Sequence, residues 1–159
     1  MNAGDPVRLV HPAERVEGER TPGMTREEAI VVDGLWAGLV RTEAHMTTGW
    51  HHHADYDTSI YVVDGALRME SGPGGADVVE AARGDFLHVP KGAIHREGNP
   101  GDEECRVIVV RAGHGPAVVN VDGPAPSDSD LRTTQPLLGG AGCNPRAAVS
   151  SRLRIASPR

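Results

Sequence analysis

Three histidines, His51, His52 and His53, stand in a row within GWHHHADYDTSIYVVDG, residues 49–65, just ahead of a β-branched run that stops at an Asp-Gly turn. Imidazole is the commonest metal ligand among side chains and titrates near neutrality, so such a cluster points to metal binding or proton transfer. In an extended chain residues i and i+2 share a face, which aims His51 and His53 together and His52 away. Taken alone, the pair fits two arms of a metal site or the solvated rim of a strand.

A second stretch, GDFLHVPKGAIHREGN at 84–99, carries the residue that could complete a site. Gly84 and Asp85 turn the chain into a strand, Pro90 ends it and Gly92 permits a tight bend. His95 then opens the next extended segment, 42 residues beyond His53. A β-barrel closing on itself can bring such distant positions together.

The two stretches resemble the paired motifs of the cupin superfamily. Gly84, Pro90, Gly92, His95 and Asn99 fill every position of the second motif, and His51, His53 and Gly65 fill positions of the first. The resemblance spans about residues 30–115. It implies a double-stranded β-helix, the jelly-roll β-barrel, with a metal held inside by His51, His53 and His95. Two positions depart from the pattern. His45 stands where the first motif opens on glycine, Gly49 being the nearby one, and Thr58 stands where the family has its metal-binding glutamate. Asp57, next door, faces away on a regular strand and becomes a candidate fourth ligand only if a bulge rotates it inward.

Loss of that carboxylate has an electrostatic consequence. A divalent ion held by three neutral imidazoles keeps its full +2 charge, acts as a stronger Lewis acid and favours an anionic chelating substrate. The three-histidine set is similar to that of cupin dioxygenases acting on diketones, thiols or aromatic acids through non-haem iron(II). It is equally compatible with zinc, and nickel or manganese also enter. Iron(II) is the favoured cofactor, and the expected function is a mononuclear dioxygenase of a small chelating molecule. The alternatives are a non-redox isomerase, decarboxylase or lyase, and a non-catalytic module that binds a small ligand.

Other side chains are candidates for the same pocket. Glu43 and His45, two apart on the preceding strand, could support the metal ligands or act as acid and base. His88 lies in DFLHV, where Phe86 and His88 share one face and Leu87 and Val89 the other; if His88 looks inward it is the preferred general base. Thr58, Tyr61, Phe86 and His45 are expected to line the pocket, and Trp50 and Tyr56 fit its mouth, the core or an interface. Arg41 and Arg96 could attract a carboxylate or form surface ion pairs.

A rigid frame must position these residues, and the composition indicates an all-β one. The 159 residues suffice for one domain. Only 3% are aromatic, so the core must rest on Val, Leu, Ile and Ala, while 20 glycines and 12 prolines suit short strands joined by tight turns. From Ile30 onward, IVVDGLWAGLVRTEAHM, TSIYVVDGALRMES, ADVVEAARGDFLHVP and CRVIVVRAG are β-rich runs separated by Asp-Gly, Gly-Pro-Gly-Gly and Asn-Pro-Gly, the pattern of a β-sandwich or barrel. No long stretch has a helical period, and REEA at 26–29 could start one helical turn at most. Residues 1–29 read as an N-terminal extension with VRLV as a candidate edge strand, 30–120 as the barrel, and 121–159 as an irregular Pro/Gly/Ser-rich tail. Within the tail, RLRI could dock as a strand.

Charge and composition narrow the partners. Residues 1–120 hold 19 acidic against 11 basic side chains, a poor match for phosphate backbones, and no helix-turn-helix pattern occurs, so nucleic acid is set aside. No apolar run is long enough to span a membrane, and the first twenty residues lack the apolar core of a signal peptide. Cys105 and Cys143 imply no disulfide framework, which fits a cytoplasmic setting. The resemblance adds an expected homodimer through edge-strand pairing. A small-molecule substrate is the expected partner.

Overall fold

The computed structural model describes Gly4 and residues 6–127. Among these, the strands are β1 (Val16–Glu17), β2 (Met24–Val32), β3 (Leu35–Thr42), β4 (His51–His52), β5 (Asp55–Asp64), β6 (Ala66–Ser71), β7 (Asp77–Ala82), β8 (Phe86–Val89), β9 (His95–Gly98), β10 (Cys105–His114) and β11 (Val119–Asn120). They form a six-stranded sheet in the order β1-β2-β3-β10-β5-β8 and a five-stranded sheet in the order β11-β4-β9-β6-β7. From β3 onward the chain passes back and forth between the sheets, with only β6 and β7 adjacent as a hairpin. This is the double-stranded β-helix, and it sets residues far apart in sequence on facing walls.

The inner face follows the period-2 alternation of the strands. Thr58, Ile60 and Val62 of β5 point inward, as do Cys105, Val107, Val109 and Arg111 of β10 and Gly38, Val40 and Thr42 of β3. Leu67, Met69, Val89 and Met24 complete the core, so aliphatic and thioether side chains carry the packing that scarce aromatics do not. Full burial of each such side chain contributes about 1.5–3 kcal/mol. The Asp64-Gly65 turn between β5 and β6 needs its glycine: φ is +80° and a Cβ would stand 2.8 Å from the Cys105 Cα.

Several expectations change at the N-terminal side. REEA (26–29) lies within β2 and not in a helical turn, and β2 begins at Met24, ahead of the expected start at Ile30. The charges hid an alternating strand: Met24 is buried, while the Glu27 carboxylate pairs with Arg15 at 3.0 Å and Arg41 at 2.9 Å. VRLV (7–10) forms no strand, with Val7 and Leu9 exposed. At the other end, Val121 N donates to Trp50 O and Gly74 N donates to Ala125 O, so the first tail residues run along the five-stranded sheet. The RLRI segment lies outside the described residues.

Candidate metal centre

Register brings the histidines together. His51 of β4 and His95 of β9 are directly opposite partners, and opposite residues in antiparallel strands share a face with Cβ atoms about 4.5–5.5 Å apart. His53, two residues beyond His51, joins that face. Ala54 then takes a left-handed conformation, φ 47°, and turns the chain from β4 into β5; its carbonyl accepts a hydrogen bond from Gly92 N at 2.9 Å. The ring centroids lie 4.4 Å (His51–His95), 4.9 Å (His53–His95) and 5.1 Å (His51–His53) apart. One ligand nitrogen from each falls within 4.8 Å of the others.

Each imidazole is anchored through its Nδ1. His51 Nδ1 donates to Gly49 O at 3.0 Å, His53 Nδ1 to Ala117 O at 2.6 Å, and His95 Nδ1 to Ala93 O at 2.9 Å. A carbonyl accepts only, so each Nδ1 carries the proton and Nε2 keeps its lone pair for a ligand bond. His95 Nε2 is buried and has no hydrogen-bond partner among the described residues. Burial holds His53 down to about 3, with the Arg111 charge and then the other two imidazoles adding to the effect, and burial also pushes His95 down. Buried rings with anchored Nδ1 and one ligand nitrogen each within 4.8 Å of the others fit a divalent ion with a preference for nitrogen ligands. His52 is turned away, its Nδ1 accepting from Ala54 N at 3.0 Å.

The remaining sequence-derived candidates fall elsewhere, with one exception. Thr58 points into the barrel, 1% exposed. Asp57 therefore points out. The bulge of β5 lies at Val63, where the β10 register shifts, and not beside Asp57. Asp57 Oδ1 instead accepts from His88 Nε2 at 3.0 Å on the barrel's outside, where the His88 side chain is 63% exposed, so His88 is not an interior base. Phe86 is exposed and stacks on Tyr61 at 4.8 Å on that same outer face. Strand alternation accounts for all four, since β8 pairs with β5 in register and Val89, not His88, stands beside Thr58. Glu43 and His45 do not share a strand face because β3 ends at Thr42; both are exposed, and His45 takes φ 59° and pairs with Asp102 at 3.0 Å. Arg41 and Arg96 form ion pairs, Arg96 with Glu70 while stacking on Trp50 at 4.7 Å.

Arg111 is the interior residue that sequence reasoning passed over. It lies opposite Thr58 on β5 and Trp36 on β3. Its guanidinium is buried, with its Cζ 5.0 Å from the Trp36 ring centroid. Burial lowers its pKa from the ordinary value and nearby Glu97 opposes this. The alternation Cys105, Val107, Val109, Arg111 in CRVIVVRAG was the available signal.

Residues 38–111 match the family model described as cupin domain. Among solved structures, the chain is similar to KdgF from Halomonas sp., at 20% identity and TM-score 0.60, covering 69% of this chain and 96% of that one. It is also similar to the polyketide cyclase RemF from Streptomyces resistomycificus, at 23% identity and TM-score 0.61, covering 73% and 86%. A variant of the oxalate decarboxylase OxdC from Bacillus subtilis matches at 22% identity and TM-score 0.58, over 69% of this chain but only 30% of that one. No curated protein matches by sequence. At these identities the likeness is one of fold.

Proposed function

We propose, from the premise that this chain carries a cupin domain, that the protein is a mononuclear metal-dependent enzyme, an iron(II) dioxygenase of a small chelating substrate. The supporting observation is the donor set: three buried imidazoles anchored at Nδ1, with Thr58 at the position of the expected carboxylate. Iron(II) held there would supply redox chemistry with dioxygen and Lewis acidity, whereas zinc, nickel or manganese would serve chiefly as a Lewis acid.

The chain's own residues set the conditions for that chemistry. His51, His53 and His95 donate without adding negative charge, which favours an anionic chelating substrate. Their backbone anchors fix ring orientation before any ligand arrives, so little reorganisation is needed on binding. Val40, Ile60, Val107 and Val109 surround the interior with apolar surface, lowering the local dielectric and strengthening every charge interaction there. The two side chains that the sequence offered as acid–base groups, His88 and Glu43, lie on the outside, which favours chemistry that asks little proton transfer of the protein. A non-redox isomerase, decarboxylase or lyase is the second reading. It would rest on Glu97, the carboxylate that lines the inner cavity, as proton carrier.

The test is elemental analysis of protein purified without an affinity tag, then anaerobic iron(II) reconstitution and an oxygen-uptake screen against diketones, thiols and small chelating acids. Iron near one equivalent with substrate-dependent oxygen consumption supports the proposal. Tightly held zinc, nickel or manganese with no oxygen uptake replaces it with the non-redox reading.

A further inference from the structure

Three buried side-chain polar atoms lack a hydrogen-bond partner among the described residues: His95 Nε2, Thr58 Oγ1 and Arg111 Nε. The metal centre accounts for the first. The other two belong to residues directly opposite one another on β5 and β10, 1% and 6% exposed. A buried donor without a partner costs about 1–3 kcal/mol and a charged one more, and native structures retain few such groups without a use for them. Trp36 covers one face of the guanidinium but offers no acceptor to its N–H groups. Glu97 and Arg26 line the same cavity. Glu97 forms no ion pair with Arg111 among the described residues, and Arg26 is engaged with Glu19 O and Thr21 Oγ1. Arg111 thus stands as a cation inside the barrel that feels the Glu97 charge but, among the described residues, has no carboxylate in direct contact.

We propose that Arg111 and Thr58 form a recognition wall for the carboxylate of a small acid. The guanidinium fork receives the two oxygens, the Thr58 hydroxyl donates to one of them, and the rest of the ligand is directed toward His51, His53 and His95. That last part rests on the metal-centre reading; the anion wall itself does not. A ligand carboxylate would supply the negative charge that threonine, at the family's carboxylate position, withholds. The cavity volume is about 10 Å³, room for roughly one water and too small for a carboxylate, so binding requires the lining side chains to move apart, which limits the class to the most compact acids.

The experiment uses formate and acetate as probes on full-length protein, with and without cobalt(II). Formate should bind the cobalt-loaded wild type and raise the melting temperature of both forms. Arg111→Met should keep cobalt affinity within about threefold, weaken formate at least tenfold, and melt higher than wild type when ligand-free, because an unpaired buried charge is gone. Thr58→Val should weaken formate about threefold to fivefold. Wild-type formate affinity in Arg111→Met, above all with a lowered melting temperature, would mark Arg111 as structural and overturn the proposal. If Arg111→Met does not fold, Arg111→Lys keeps the charge and loses the fork, and unchanged formate affinity there overturns it equally. Failure of wild type to bind cobalt overturns the metal reading alone. Formate protection of metal-free wild type then supports the wall, and its absence overturns it.

Discussion

The two walls of the barrel interior treat their polar groups in opposite ways. On the five-stranded side, each of three imidazoles has one nitrogen tied to a backbone carbonyl and the other directed at its neighbours. On the six-stranded side, Thr58 and Arg111 are as deeply buried yet keep polar atoms with no hydrogen-bond partner among the described residues. One wall is preorganised by the chain itself, as a rigid ligand set for a cation requires. The other is complete only when something else supplies acceptors. The difference teaches that burial alone does not identify a ligand site; the informative quantity is which atoms the fold leaves unfilled.

The comparison breaks most easily at the histidine wall. His95→Ala should reduce metal affinity more than a hundredfold, read by calorimetry, and abolish metal-induced thermal stabilisation. In wild type that stabilisation should reach about 2.7 kcal/mol at a metal concentration a hundred times Kd. Full metal occupancy in the variant would dismantle the centre. Next in size is Ile60→Ala, on the six-stranded wall beside Thr58, which should cost about 2–5 kcal/mol in denaturant unfolding while leaving metal binding in place. A cost under about 1 kcal/mol would contradict the packing described for this strand.

A smaller effect sharpens the contrast. Thr58→Glu would return a carboxylate to the six-stranded wall, raising metal affinity by about tenfold, or 1.4 kcal/mol, and giving Arg111 an internal partner. Formate binding should fall in parallel. Unchanged affinities for both metal and formate would show that position 58 addresses neither. The smallest effects belong to the outer face. His52→Ala should change metal affinity less than about twofold, and His88→Ala, which removes only the exposed pair with Asp57, should change stability by less than about 1 kcal/mol. A large loss of metal in His52→Ala would mean that the strand register is wrong.

Much of the frame was legible in the chain. Short β-rich runs between glycine and proline turns announced an all-β barrel, because turn chemistry and alternation are local properties. Alternation put His51 and His53 on one face, and the Pro90–Gly92 bend delivers His95 to a strand start, but it was the resemblance to the cupin motifs that joined His95 to the other two. β2 was less legible, because its run of charged residues, of which Glu27 pairs with Arg15 and Arg41, masked the strand that begins at buried Met24.

By itself, then, the sequence singled out the three histidines that the fold gathers, the threonine at position 58 and the class of the fold. Only the tertiary structure decided that Asp57 and His88 meet each other outside the barrel, and that Arg111 faces Thr58 inside it. The physical reason is register. Local periodicity says which side chains share a face of one strand, but cross-strand hydrogen bonding chooses which distant residues share a wall, and whether that wall looks inward is settled by how the sheets close around their core.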